Sequence, residues 1–340
     1  MIIYVCLSLV FYKVNLKDNL VLFIKGKYGG EMILTITANP SVDISYQLDR
    51  FIIDDVNRVE KVHKDAGGKG IHVGYVLKEL GHDVVNSGFV GGKLGEFIVD
   101  SLEDKDLASR FVEVEGETRN CIAVLHEGAQ TEILEKGPQI SHEKEREFLD
   151  NLDKISKDCR VINISGSLPK GLDSSFYKEI VAYGKSHGKF VSVDTSGQTL
   201  VDLINADIKP DLIKPNETEI KDVIKKDLES LDELKEILSK EPFAGIENII
   251  VSMGKDGAFV KMGNKFYRAT VPTIEAVNPV GSGDSSLAGA LSAIDKNESN
   301  VATIKKSMTC GLLNALNHEI AHIDINLFDE YYEKIEVKEL

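Results

Sequence analysis

In Asn278-Pro279-Val280-Gly281-Ser282-Gly283-Asp284-Ser285-Ser286-Leu287-Ala288-Gly289-Ala290, two glycines flank a serine and an aspartate follows at once. Small and apolar residues then continue at helical spacing. Gly281 and Gly283 reach backbone angles closed to other residues and let N–H groups approach a ligand. The run after Asp284 reads as a helix, so those N–H groups sit at its positive end. Such an end binds phosphate through unpaired donors and the helix dipole together. Asp284 falls in the first turn, beside the anion. A carboxylate there repels phosphate, so it is not needed to hold it. It suits a base that takes a proton from an attacking hydroxyl. An N-capping aspartate on an ordinary helix is the competing reading.

The rest of the chain bears on that choice. At 340 residues it exceeds one modal domain, but large α/β folds reach this size as single units. Apolar residues make up 42%, enough for a sizeable core. A net charge of −15 argues against a nucleic-acid or anionic-membrane partner. It also means that an anionic substrate needs local positive groups. Cys6, Cys121, Cys159 and Cys310 are scattered without a CxxC pair, which fits a reducing cytosol and gives no metal site. A cytoplasmic protein is therefore expected.

Residues 1–31 stand apart. Met1 to Tyr12 is apolar, too short to span a bilayer, and lacks the flanks of a secretory signal. Met32 then opens a clean strand, Ile33-Leu34-Thr35-Ile36-Thr37-Ala38. Gly29-Gly30-Glu31 is codable by a purine-rich stretch like a ribosome-binding site. Residues 1–31 are thus expected to be a non-native or disordered extension, with 32–340 as the domain. The intact mass of the native protein tests this, and a mass including Met1 contradicts it.

After the first strand, Asn39-Pro40 makes a turn that places Asp43 at a strand's carboxyl end, where open α/β sheets bind ligands. A turn-capping aspartate is the alternative. Residues 44–52 and 57–64 read as two short antiparallel strands, with Arg58 on the second. Ala66-Gly67-Gly68-Lys69-Gly70 opens a second helix, Ile71 to Leu80. It has neither the Walker spacing nor the dinucleotide fingerprint, so it signals an anion site with Lys69 as a point charge. Strands follow at 84–89, 111–114, 119–126 and 131–135. Arg119 opens one of them and could fork onto a phosphate or carboxylate.

From about 141 the pattern is regular β-α alternation, with helices near 141–156 and 173–187. It implies a parallel sheet covered on both faces. Its loops carry Ser165-Gly166-Ser167, Lys214-Pro215-Asn216-Glu217-Thr218-Glu219 and Ser252-Met253-Gly254-Lys255-Asp256-Gly257. Asn216 and Glu219 share a helix face at its start, and oxygen donors of this kind suit Mg²⁺ through water. An isolated pair of this spacing is more often solvated helix surface. Helices fill about 283–295 and 300–318.

Taken together, Met32 to the end resembles the ribokinase superfamily, in its phosphofructokinase-B branch. Asn278 to Leu291 is similar to that branch's C-terminal signature, and Ala66 to Gly70 to its N-terminal one. The family usually carries Asn where this chain has His72, and Ser, Thr or Ala where it has Gly74. Within the branch, Gly116-Glu117-Thr118-Arg119-Asn120-Cys121-Ile122 through Glu135 resembles the tagatose-6-phosphate kinases. So do Asp55-Val56-Asn57-Arg58-Val59 and Lys334-Ile335-Glu336-Val337.

The resemblance implies a three-layer α/β sandwich with a mainly parallel sheet. A small β-sheet lid would lie at about 44–64 and 119–135. It implies MgATP as donor and a sugar phosphate as acceptor, with tagatose 6-phosphate becoming tagatose 1,6-bisphosphate. Asp43 and Gly68 would contact the sugar, and Lys69, Arg119 and Ser167 its phosphate. Lys214, Ser252, Gly254 and Gly257 would serve the nucleotide, and Asn216 and Glu219 the Mg²⁺. Gly281, Ser282 and Gly283 would donate to the γ-phosphate, with Asp284 as base. A homodimer through the lids would bring Arg58 to the neighbouring subunit's substrate. The alternatives are fructose 1-phosphate or fructose 6-phosphate as acceptor, and a non-catalytic sugar-phosphate sensor. A nucleotide-binding oxidoreductase is disfavoured, because no G-x-G-x-x-G follows the first strand.

Overall fold

The computed structural model describes residues 32–340. The expected extension over 1–31 lies outside the described residues. The chain begins with β1 (Met32–Thr37), β2 (Ser41–Leu48), β3 (Lys61–Gly67), α1 (Lys69–Glu79), β4 (Val84–Val90), α2 (Gly92–Asp104), β5 (Ala108–Glu113), β6 (Arg119–His126) and β7 (Ala129–Leu134). It continues through α3 (His142–Asp150), α4 (Leu152–Ile155), β8 (Cys159–Ser165), α5 (Ser174–Ser186), β9 (Phe190–Asp194), α6 (Gly197–Ile204), β10 (Leu212–Ile213), α7 (Glu217–Ile224) and α8 (Leu231–Leu238). It closes with β11 (Asn248–Ser252), β12 (Ala258–Met262), β13 (Lys265–Thr270), α9 (Ser282–Asp295), α10 (Asn300–Ala315), α11 (Phe328–Lys334) and β14 (Glu336–Glu339).

Successive strand residues fall into two separate apolar clusters. Ile33 belongs to one, Leu34 and Ile36 to the other. Val161 is set against Ile162 and Ile164 in the same way, and Ile250 against Ile249 and Val251. A period of two points neighbours to opposite faces, so one sheet divides two cores. Buried side chains of α1, α2, α9 and α10 join the first cluster, and those of α3 to α8 the second. The result is the expected three layers.

The large sheet has the order β14-β13-β12-β11-β10-β9-β8-β1-β4-β5. Strands from β11 to β5 pair in parallel, while β12, β13 and β14 pair antiparallel at one edge. The α1 face of this sheet also carries buried polar groups. Thr35 Oγ1 donates to Asn86 Oδ1 at 2.8 Å, and Ser192 Oγ to Asn163 Oδ1 at 2.8 Å. Helix α1 lies close on that face: a Cβ at Gly74 would sit 2.7 Å from Asn86 Oδ1.

A second sheet, β3-β2-β6-β7, forms the lid. It is mixed rather than antiparallel throughout, because β2 pairs in parallel with β6. Its first strands are Ser41–Leu48 and Lys61–Gly67, not 44–52 and 57–64. Residues 49–60 make a loop instead. There Asn57 brackets Ile52, accepting from its N–H at 2.9 Å and donating to its carbonyl at 2.7 Å. Arg58 therefore lies on an exposed loop, not on a strand.

The strand expected at 111–114 is Ala108–Glu113 and lies at the edge of the large sheet. The helix expected over 141–156 breaks at Asn151, and the last long helix ends at Ala315 rather than 318. Strand β14 was not anticipated. Among the described residues no helix is long and apolar enough to cross a membrane.

The end of α4 depends on a side chain from β5. Buried Arg110 donates through Nη1 to the carbonyls of Lys154, Ile155 and Lys157 at 3.1, 2.6 and 3.3 Å. Helix ends leave carbonyls that need such donors. Arg110→Leu should therefore lower stability by about 2–4 kcal/mol, the cost of stranding buried acceptors. Urea unfolding would show a lower midpoint at an unchanged slope. A midpoint equal to the parent's would contradict the capping role.

Candidate active site

Helices α1 and α9 pack against each other on one face of the sheet. Gly68 caps the start of α1 and Gly281 that of α9, and both line one cleft of about 960 Å³. The cleft lies over the carboxyl ends of the parallel strands, where Asp194 ends β9, Lys214 follows β10 and Ser252 ends β11. Lid residues Asp43, Arg119 and Cys121 form another wall. This is the crevice in which open α/β sheets bind ligands.

The start of α9 is built for an anion. Gly281 takes a left-handed φ of 79°, closed to most residues. The Ser282 N–H is already given to the Pro279 carbonyl at 3.2 Å. The amides of Gly281, Gly283 and Asp284 have no hydrogen-bond partner among the described residues. The expected trio of donors thus shifts, with Asp284 replacing Ser282. Ser282 also lies off the cleft wall, where its Oγ accepts from Asn314 Nδ2 at 3.0 Å. Buried Asn314 further donates to the Val280 carbonyl at 2.8 Å and accepts from the Ala321 N–H at 2.7 Å. It clamps the turn, and nothing in its helical context signalled this.

Two linked clusters of acidic and basic side chains stand in the cleft, one around His72 and one around Asp194. Asp284 is buried, with Oδ2 at 3.0 Å from His72 Nδ1. The other ring nitrogen, Nε2, lies 3.1 Å from Asp43 Oδ2. Asp43 Oδ1 accepts from Ser41 Oγ at 2.7 Å. Asp194, almost fully buried, holds Lys69 Nζ at 3.4 Å and Lys214 Nζ at 3.5 Å. The Asp194 carboxylate raises the Lys69 pKa against the opposing effect of burial, with help from Asp284 and Glu219. Burial alone would lower the His72 pKa, but hydrogen bonds to Asp284 and Asp43 and their charges carry it up to about 10. Asp194 and the position of His72 were not assigned from sequence. The only signal for Asp194 was a charged residue ending an apolar strand.

Several expected residues sit elsewhere or are otherwise engaged. Arg119 lines the cleft, yet its guanidinium donates to the carbonyls of Asn39 at 3.0 Å and Glu135 at 3.3 Å. Ser167 is exposed and outside the cleft lining, as is Arg58. Gly254 and Gly257 belong to a turn beyond the lining. Gly257 has a packing reason: a Cβ there would sit 2.2 Å from the Ala269 carbonyl oxygen.

Asn216 and Glu219 line the cleft and form a capping box on α7. Asn216 Oδ1 accepts from the Glu219 N–H at 2.9 Å, and Glu219 Oε2 from the Asn216 N–H at 2.9 Å. Glu219 Oε1 has no hydrogen bond among the described residues. Those residues contain no group of three His, Cys, Asp or Glu suited to a metal ion. Such a sparse oxygen set fits Mg²⁺ carried mainly by nucleotide phosphates and water, not a protein cage.

Residues 36–323 match the profile described as pfkB family carbohydrate kinase. Tagatose-6-phosphate kinase of Staphylococcus epidermidis is 47% identical over 310 residues, 91% of this chain and 100% of that one. Escherichia coli phosphofructokinase-2 in complex with fructose-6-phosphate shares the fold, with a TM-score of 0.81 and 22% identity over 89% of this chain and 98% of that one. Arabidopsis thaliana ribokinase complexed with ribose and ATP also shares it, at a TM-score of 0.71 and 17% identity over 89% and 99%. The protein is thus a phosphotransferase with an alcohol acceptor, and the chain belongs to the pfkB family of carbohydrate kinases.

Proposed function

We propose that the protein transfers the γ-phosphoryl group of ATP to the C1 hydroxyl of tagatose 6-phosphate, giving ADP and tagatose 1,6-bisphosphate. The observation that supports this most is the placement of Asp284 beside unpaired amides at the start of α9, inside a cleft with Lys69 and Asp43. The choice of sugar leans on the Staphylococcus epidermidis relative. The setting would be lactose and galactose catabolism in the cytoplasm.

The sugar phosphate lies under the lid. Asp43, held by Ser41 and His72, accepts from sugar hydroxyls. Lys69 attracts the 6-phosphate, and its raised pKa keeps it charged at any working pH. Arg119 adds charge while tying the turn after β1 to the lid. Ser167 is left without a part.

ATP lies over the carboxyl-terminal half, with Lys214 and Ser252 near its phosphates and Gly254 in the open space beyond. Asn216 and Glu219 would hold Mg²⁺ through water, and the ion would neutralise charge on the β- and γ-phosphates. The amides of Gly281, Gly283 and Asp284 receive the charge that builds on the moving phosphoryl group. Asp284 takes the hydroxyl proton as the sugar oxygen bonds to phosphorus and the bond to ADP breaks. Phosphoryl transfer needs mainly positioning and charge stabilisation, which is what this cleft offers.

The lid also supports a homodimer. Every residue of its edge strand β7 is exposed, with Ile133 and Leu134 presenting apolar side chains there and Val62 another on the opposite edge strand β3. An open apolar edge calls for a cover. Arg58, on the exposed loop, would then reach a neighbouring cleft. Sedimentation should give a dimer, which Ile133→Lys weakens; a monomeric parent would contradict it.

Comparing kcat/KM for tagatose 6-phosphate, fructose 6-phosphate and fructose 1-phosphate by ADP release tests the substrate. Tagatose 6-phosphate should lead, and a higher value for either fructose phosphate would reassign the acceptor. Loss of a general base costs about 10²–10⁴-fold, so Asp284→Asn should lower kcat by that factor with ATP binding kept. Near-parent turnover would remove Asp284 as base. Lys69→Ala should mainly raise KM for the sugar phosphate, and an unchanged KM would refute its phosphate role.

A further inference from the structure

His72 has both ring nitrogens on carboxylate oxygens, Nδ1 on Asp284 Oδ2 at 3.0 Å and Nε2 on Asp43 Oδ2 at 3.1 Å. An ionised carboxylate only accepts, and a neutral imidazole has one donor and one acceptor. Both contacts are hydrogen bonds only if the ring carries two protons. We propose that His72 is a positioning residue for the kinase reaction: a doubly protonated imidazole that locks the substrate-reading Asp43 and the base Asp284 into one unit.

The consequence is a division of labour between oxygens. Asp284 Oδ2 is held by His72, so Oδ1 is the atom that meets the attacking hydroxyl. Asp43 is held at both ends, by Ser41 at Oδ1 and His72 at Oδ2. The sugar's orientation and the base's orientation are then set by one ring, which comes from the helix between them. The ring is well packed, its side chain 12% exposed. A cation at this point also offsets the repulsion between Asp43 and Asp284, the two carboxylates that the ring bridges.

The groups around the ring come from several elements. Asp43 is on β2 and Asp284 on α9. Lys69, on the ring's own helix, feels Asp284 and Asp194. Cys121 on β6 and Tyr75 on α1 feel Asp43, and Asp65 on β3 accepts from Tyr75. Against burial, the hydrogen bonds and charges of Asp284 and Asp43 alone keep the ring charged well above the ordinary histidine range, up to about 10. The bridge is therefore complete at neutral pH and is lost as pH rises through that value.

The proposal rests on the kinase reading, and two measurements separate them. In the full chain with ¹⁵N-labelled histidine, His72 is identified by its absence in His72→Asn. Its two ring nitrogens should both show the protonated signature from pH 6 to 9, with no substrate present. A neutral-imidazole signature at pH 8 would overturn the proposal whatever the enzyme does.

The second measurement is the pH profile of sugar-phosphate turnover for the parent and for His72→Asn and His72→Ala. Both variants should lose about tenfold or more in kcat, with KM for ATP within about twofold. The parent's kcat should fall as pH rises through about 10, where the ring loses its second proton, and both variants should lack that alkaline limb. Unchanged kcat, or a fall in kcat with the parent's alkaline limb retained in the variants, would reduce His72 to packing and overturn the proposal. Absence of turnover in the parent would instead count against the kinase reading and leave the nitrogen measurement to judge the bridge.

Discussion

Asp194 stands at the end of β9 with the ammonium groups of Lys69 and Lys214 at 3.4 and 3.5 Å. It is 2% exposed, so its charge has no water to share it. Removing Lys214, itself only 5% exposed, would strand that charge and cost about 3–5 kcal/mol. The two lysines are thereby fixed at the two oxygens of one carboxylate, and Lys214 Nζ lies 3.3 Å from where a Cβ on Gly283 of α9 would sit. A chain of net charge −15 must concentrate positive groups locally to admit anionic substrates. Here it does so by anchoring them to acids that the fold itself buries.

The sheet makes that concentration possible. Its parallel strands end along one edge, and Asp194, Lys214 and Ser252 all stand at those ends. Helices α1 and α9 start at the same edge and pack together. The close seat of α1 on the sheet, with no side chain at Gly74, brings His72 within reach of α9. Asn314 and Gly281 shape the turn so that its remaining amides stay unpaired. Layer packing, helix ends and ion pairs thus converge on one cleft, and none of them alone would define it.

The layers and the glycine turns were legible because they follow from local rules. Period-two runs such as Ile33 to Ile36 mark buried strands, and Gly281-Ser282-Gly283-Asp284 marks a helix end open to an anion. Long-range facts were not legible. No spacing tells that β2 pairs in parallel with β6, or that β5 joins the large sheet rather than the lid. Arg58 was read onto a strand because 57–64 is locally strand-like, but Asn57 closes a turn there through Ile52. Asn216 and Glu219 carried two readings, and the capping box satisfies one without excluding the other. His72 looked like a departure from a pattern. Its partners, 29 and 212 residues away in sequence, appear only in the folded chain.

In the proposed reaction, phosphoryl transfer happens at the start of α9 with Asp284 as the proton acceptor. A crystal structure with tagatose 6-phosphate and a non-hydrolysable ATP analogue tests it most directly. The terminal phosphate should sit on the amides of Gly281, Gly283 and Asp284, with the C1 hydroxyl within hydrogen-bond reach of Asp284 Oδ1. A terminal phosphate seated away from that turn, or a hydroxyl bonded to another residue, would contradict it.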